Sequence, residues 1–184
     1  MRPTRRDEVV AGVWAFAEAT LFFVVPDVWL TWVATADGVS VRRLLRCVGV
    51  AVTFAVVGGL CLKTYAWQSH GKAESLILRV PSVSFEQREA VREEARSRGM
   101  TAIALGWLDG RPYKLYAVEF GVRGAPPWQF AAWSATARGL RFLLTAFVAI
   151  GLAKLIRMQE AARVLWAVVW ICVYTVYWWK HPLW

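Results

Sequence analysis

Residues 18–27 read EATLFFVVPD: a carboxylate in an apolar and aromatic run that ends, about two helical turns on, in Pro26 and a second acid, Asp27. An ionisable side chain facing lipid costs on the order of 3 kcal/mol or more, so Glu18 must face protein, a cavity or an opposite charge. Upstream, Val9 to Val25 has a helical pattern, and downstream Val28 to Ala36 is a second apolar piece. As one continuous crossing, these pieces put Arg2, Arg5 and Arg6 on the side opposite Arg42, Arg43 and Arg46, although both basic clusters read as cytoplasmic. A re-entrant hairpin over residues 9–36 removes the conflict. Pro26 is then its break, because proline lacks an N–H and biases Val25 away from helix. Irregular backbone at membrane depth survives only where protein or water lines it, so the break predicts a cavity.

The rest of the chain agrees with a membrane setting. Its 184 residues are 58% hydrophobic and 14% aromatic, with twelve Trp, which is too apolar for an ordinary soluble domain. A net charge of +9 in a soluble chain suggests nucleic acid. Here the basic residues flank apolar segments, where they serve topology and contact with anionic lipid, and no nucleic-acid partner is expected. Cys47, Cys61 and Cys172 sit singly in apolar surroundings, read as packing residues, and show neither a disulfide framework nor metal-ligand spacing. No cofactor or metal site is expected. The arginines before the first apolar run and Ala34-Thr35-Ala36 imitate a leader with its cleavage site, but a leader core does not carry a glutamate in its middle.

Leu44 to Leu62 is the first convincing span, about 19 residues covering most of a ~30 Å hydrocarbon core. Gly49, Gly58 and Gly59 within it suit close helix packing. Residues 63–99 form the only long polar section. It predicts a short strand at Ser75 to Val80, a break at Pro81, and a helix from Phe85 to Arg98. Ser84 and Gln87 have capping-box spacing, Glu94 and Arg98 an i,i+4 relation, and Gly99 suits a stop. This charge-rich helix is expected to lie on the membrane surface as a solvated lid or spacer.

Residues 100–122 repeat the first pattern. Met100 to Leu108 and Tyr113 to Val122 flank Asp109-Gly110-Arg111-Pro112. Each half is about 15 Å of helix, too short to cross alone, so a second re-entrant hairpin is predicted. Pro112 suits the first helical position and Asp109 or Gly110 the entry. Free N–H groups and a positive dipole end then lie beside Arg111 and Lys114, a chemistry that favours an anion, particularly phosphate. After Gly124-Ala125-Pro126-Pro127, a long helix over 128–153 carries Arg138 and Arg141 on one face, too far inside for easy snorkelling. Lys154, Arg157, Glu160 and Arg163 make a charged loop before the last span, 161–179, whose terminal Trp178 and Trp179 read as an interfacial belt. The expected fold is one all-α integral membrane domain over 1–184: about three transmembrane helices, two re-entrant helical hairpins and a surface amphipathic helix.

Three stretches carry a family resemblance: F-A-E-A-T…P-D from Phe16 to Asp27, G-R-P-Y-K from Gly110 to Lys114, and A-R-G-L-R-F from Ala137 to Phe142. Their order and spacing around two apolar hairpins resemble the DedA-type membrane proteins, also called the VTT-domain or SNARE-associated family, and particularly its smaller members. The resemblance implies hairpins entering from opposite sides and the movement of phosphate-bearing lipids, undecaprenyl phosphate or phospholipids, coupled to the proton gradient. It also implies residence in a bacterial cytoplasmic membrane. On that analogy Glu18 and Asp27 are the acidic, proton-coupling pair, Arg111 or Lys114 the phosphate-facing tip, and Arg138 with Arg141 the basic helix pair. Larger members show an R-F-x-P-x-x-R arrangement at the second hairpin. Here the pattern is compressed, and Lys114 supplies a point charge without the bidentate fork of arginine.

The residues alone also point toward a transporter, because acids and bases fall in separate broken apolar segments, as where discontinuous helices meet at the midplane. Two alternatives stand beside it. In one, the acid–arginine pairs only hold the fold together, as in a structural or assembly protein; in the other, the chain is an uncoupled lipid scramblase. Enzyme chemistry is not expected. His70 and His181 lie in polar or terminal sequence, and Ser134 and Thr136 beside Arg138 are expected to bond their own helix backbone. Membrane lipids are the expected partners, and a homodimer would enclose a lipid-sized path.

Overall fold

The computed structural model describes residues 5–69, 71–81, 83–156 and 158–180, and among these the secondary structure is entirely helical. Arg2, His70, Arg157 and His181 lie outside the described residues. In chain order the helices are α1 (Arg5–Thr20), α2 (Asp27–Ala34), α3 (Val41–Ser69), α4 (Gly71–Ile77), α5 (Phe85–Arg98), α6 (Thr101–Leu105), α7 (Tyr113–Val122), α8 (Pro127–Ile156) and α9 (Gln159–Lys180). Three are long and apolar enough to cross a membrane: α3, α8 and the Glu160–Trp179 part of α9. Each begins before, or runs past, the apolar core read from sequence, because helix continues through flanking polar residues such as Arg42 and Arg43.

Small residues set the central packing. Ala11, Ala15 and Ala19 recur at four-residue spacing on α1 and are fully buried, as are Ala51 and Ala55 on α3. Such stripes let helix backbones approach closely where apolar side chains gain nothing over lipid. A Cβ on Gly58 would meet the Phe16 carbonyl oxygen at 2.9 Å, and one on Gly12 would meet Val50 at 3.1 Å. Glu8 lies 3.9 Å from Arg46, so α1 and α3 run side by side in one direction. Gly49 is different: nothing lies near it, and it takes no part in this packing.

The chain then doubles back. The Trp14 indole stacks on Trp29 with centroids 6.5 Å apart, and Trp29 Nε1 donates to the Asp7 carbonyl at 3.2 Å, so α2 returns along α1. Residues 106–112 make a second reversal: the Gly110 φ of +69° supplies the left-handed residue, and Arg111 N donates to the Gly106 carbonyl. Tyr113 at the start of α7 packs on Gly59, and Gly121 near its end packs on the Lys63 carbonyl.

The polar section departs from expectation in three respects. Ser75 to Val80 is not a strand: Gly71–Ile77 is helix α4, with Ala73 and Ile77 buried one turn apart, followed by turns that bring Leu78, Arg79 and Val80 back onto the preceding carbonyls. With no second strand among the described residues to pair its backbone, an extended segment would have left those groups unpaired. Helix α5 keeps its predicted bounds and its capping box, and Gly99 ends it at φ +58°. Its Glu94, however, meets Arg111 and Tyr116 rather than Arg98. Arg88 is braced by Glu74 of α4 and by Glu89, and the hydrogen bond to Glu74 holds its guanidinium protonated even more firmly than usual. Val91 and Ala95 are buried, so α5 docks on the bundle instead of lying free.

Candidate functional site

The first break spans residues 21–26, between the end of α1 and the start of α2. Helix hydrogen bonding stops there, and three distant or returning side chains take up the freed backbone groups. Lys114 Nζ donates to the Phe22 carbonyl at 2.6 Å, and Trp14 Nε1 to the Val24 carbonyl at 2.8 Å. Val25 N donates to the Tyr174 hydroxyl of α9 at 2.8 Å. The break is thus lined by protein, as irregular backbone inside a membrane bundle requires. Pro26 is the last residue of this break, in the region where the sequence places it. It occupies the N-cap position of α2 with φ −68° and opens the returning helix, while Asp27 takes the first helical position, where the positive dipole end favours a carboxylate.

Both predicted acids face arginines of α8. Arg138 Nη1 lies 2.7 Å from Glu18 Oε2, with side chains 3% and 6% exposed. Arg141 Nη2 lies 2.7 Å from Asp27 Oδ2, and Thr145 donates to the other Asp27 oxygen at 2.9 Å. The three-residue spacing of the arginines and the nine-residue spacing of the acids therefore meet as two parallel pairs. Arg138 also lies over the Tyr113 ring at 4.1 Å, and Tyr113 donates to Ser134 at 2.8 Å. Ser134 is thus bonded across helices, contrary to expectation, because Tyr113 reaches it over Gly59; Thr136 does bond its own helix, at Ala132.

The second break brings Arg111 and Lys114 to the same place. Pro112 sits at the N-cap of α7 in an extended conformation, one residue earlier than expected, and Tyr113 begins the helix. Lys114 is spent on the Phe22 carbonyl and Arg111 on Glu94 of α5 at 2.7 Å, so neither tip cation stands alone. A cavity of about 260 Å³ opens between the two breaks and α9, lined by Glu18, Val25, Arg111, Lys114, Arg141 and Tyr174 among others. A smaller void of about 20 Å³, room for about one water molecule, adjoins it and touches all three of Arg111, Arg138 and Arg141. Arg138 Nη2 is buried and has no hydrogen-bond partner among the described residues.

The charge balance follows. By formal charge, Arg111, Lys114, Arg138 and Arg141 stand against Glu18, Asp27 and Glu94 at this meeting point, one basic group more than acidic. A small anion fits that excess and the orphaned Arg138 donor.

Sequence reasoning missed Glu94, Tyr113, Tyr174 and Trp170 as site residues. Tyr113 stood inside the G-R-P-Y-K stretch and carried a signal through its neighbours. Tyr174 and Trp170 had none, because α9 carries aromatic residues along its second half and such residues are common in spanning helices that end at an interface. Trp170 donates to the Thr31 hydroxyl at 3.0 Å, and Trp178 packs edge-on against Phe23. The cysteines divide: Cys47 is a buried packing residue, whereas Cys61 and Cys172 are exposed. Among the described residues no group of His, Cys, Asp and Glu could hold a metal ion. No protein-family model, curated protein or solved structure matches the chain.

Proposed function

We propose that the chain moves phosphate-bearing lipids across a membrane, taking the phosphate at the meeting point of two re-entrant hairpins. Residues 9–36 form one hairpin and residues 100–122 the other, entering from opposite sides and touching through Lys114 and the Phe22 carbonyl. The observation that carries this reading is the convergence of four cations on three carboxylates beside a cavity formed by broken helices. Broken helices with acids and bases at their tips suit a substrate that is charged at one end and apolar elsewhere. Arg141, Arg111 and Lys114 line the cavity and bind the phosphate, while its tail stays in lipid.

Glu18 lines the same cavity and pairs with Arg138. Protonation of Glu18 frees Arg138 for the phosphate, and release of the proton draws Arg138 back, which couples lipid movement to a proton gradient. Burial and the arginine act in opposite senses on that carboxyl. Undecaprenyl phosphate or a phospholipid in a bacterial cytoplasmic membrane is the cargo this reading expects, as the DedA resemblance implies.

Reconstitution into proteoliposomes tests it. Labelled undecaprenyl phosphate and labelled phospholipid are followed across the bilayer, with and without an imposed pH gradient. The gradient is expected to accelerate one of them in the wild-type protein and to leave Glu18→Gln unaffected. Equal gradient-driven movement by the Glu18→Gln protein removes Glu18 from the mechanism, and movement indifferent to the gradient in both proteins identifies a scramblase.

A further inference from the structure

Every cation at the meeting point already has a partner, so a phosphate that takes a whole guanidinium or ammonium group must displace that partner. The four engagements differ in how readily they part. Asp27 is 1% exposed and holds both Arg141 and the Thr145 hydroxyl. The Arg138–Glu18 pair is buried on both sides. Lys114 closes the first break by bonding a backbone carbonyl. The Arg111–Glu94 pair is the most exposed, at 23% and 15%, and Glu94 has a second partner: the Tyr116 hydroxyl donates to its other oxygen at 2.6 Å. When Arg111 leaves, Glu94 keeps a hydrogen bond and reaches water, so this pair separates with the least desolvation.

Glu94 belongs to α5, the charged helix of the polar section. It is joined to the second hairpin by Arg111–Glu94, by Tyr116–Glu94, and by Arg123 Nη2 donating to the Arg92 carbonyl at 3.0 Å. Val91 and Ala95 supply the apolar contact. Arg111 is the only one of these links that also lines the cavity.

We propose that Glu94 is a positioning residue that holds Arg111 in reserve, and that an anion entering the cavity takes Arg111 from Glu94 and thereby loosens α5. Helix α5 thus reports cavity occupancy to the polar side of the protein, and Glu94 competes with the phosphate for one guanidinium. This inference rests on the phosphate site proposed above and adds the exchange of partners at Arg111. Binding that requires Arg111 to be free is weakened by the fraction of time Glu94 holds it.

The purified full chain is titrated with dodecyl phosphate, with dodecyl maltoside as the uncharged control, while amide hydrogen exchange is followed over residues 85–98. Saturation with dodecyl phosphate is expected to speed exchange in α5, and the maltoside to leave it unchanged. Glu94→Gln is expected to exchange faster without ligand and to bind dodecyl phosphate roughly threefold to tenfold more tightly. Arg111→Gln is expected to lose the ligand-linked change while retaining weaker binding through Arg141, and it decides the matter by itself if Glu94→Gln does not fold. Wild-type binding with α5 exchange unchanged, or a ligand-linked change that persists in Arg111→Gln, overturns the exchange of partners and leaves the phosphate site standing. Absence of any binding to the wild-type protein overturns both.

Discussion

Arg138 and Tyr174 carry the sharpest consequences at the scale of single residues. Removing one member of a buried ion pair strands the other, at about 3–5 kcal/mol, whereas removing both is far milder. Arg138→Gln is therefore expected to destabilise the protein by that amount in denaturant unfolding, and addition of Glu18→Gln is expected to recover most of the loss; strictly additive losses contradict a direct pair. Tyr174→Phe leaves the Val25 N–H without its acceptor, a loss of about 1–3 kcal/mol, and unchanged unfolding counts against that hydrogen bond. The acids and arginines were legible in the sequence because charge is costly in an apolar run, whatever its partner. Their pairing was not, since Glu18 and Arg138 stand 120 residues apart and only the packing of both α1 and α8 against α3 brings them together. Tyr174 was illegible for another reason: its work is to accept one backbone N–H, which leaves no trace in its neighbours.

Elements were readable where their signals are local. The capping box at Ser84 and Gln87 fixed the start of α5, and Ser84→Ala is expected to cost that end about 1 kcal/mol, seen as faster exchange over residues 85–88. Ser75 to Val80 misled because a short run with Leu, Ile and Val looks alike as strand or helix, and the missing strand partner is a tertiary fact. Glycines separate the same way. A Cβ on Gly121 would collide with the Lys63 carbonyl and approach Ala66 Cβ at 2.7 Å, so Gly121→Ala forces α7 off α3 and is expected to cost about 1–3 kcal/mol in unfolding. Gly49 has open space around it, and Gly49→Ala is expected to be neutral or mildly stabilising.

At the scale of the whole molecule, the two helix–break–helix segments set the topology. Thiol labelling from each side of a sealed vesicle checks it, in a background with Cys47, Cys61 and Cys172 replaced by alanine. Arg6→Cys and Asp37→Cys are expected to react from one side, and Ser97→Cys and Pro126→Cys from the other. Labelling of residues 6 and 37 from opposite sides makes α1 and α2 one continuous crossing and removes the first hairpin. In the proposed function the Glu18–Arg138 pair is a working part of lipid movement and not only a fastening. Lipid-phosphate transport by the charge-swapped protein, Glu18→Arg with Arg138→Glu, measured in proteoliposomes beside its unfolding, tests that most directly. Stability close to wild type with transport lost is the predicted result; transport restored together with stability contradicts it.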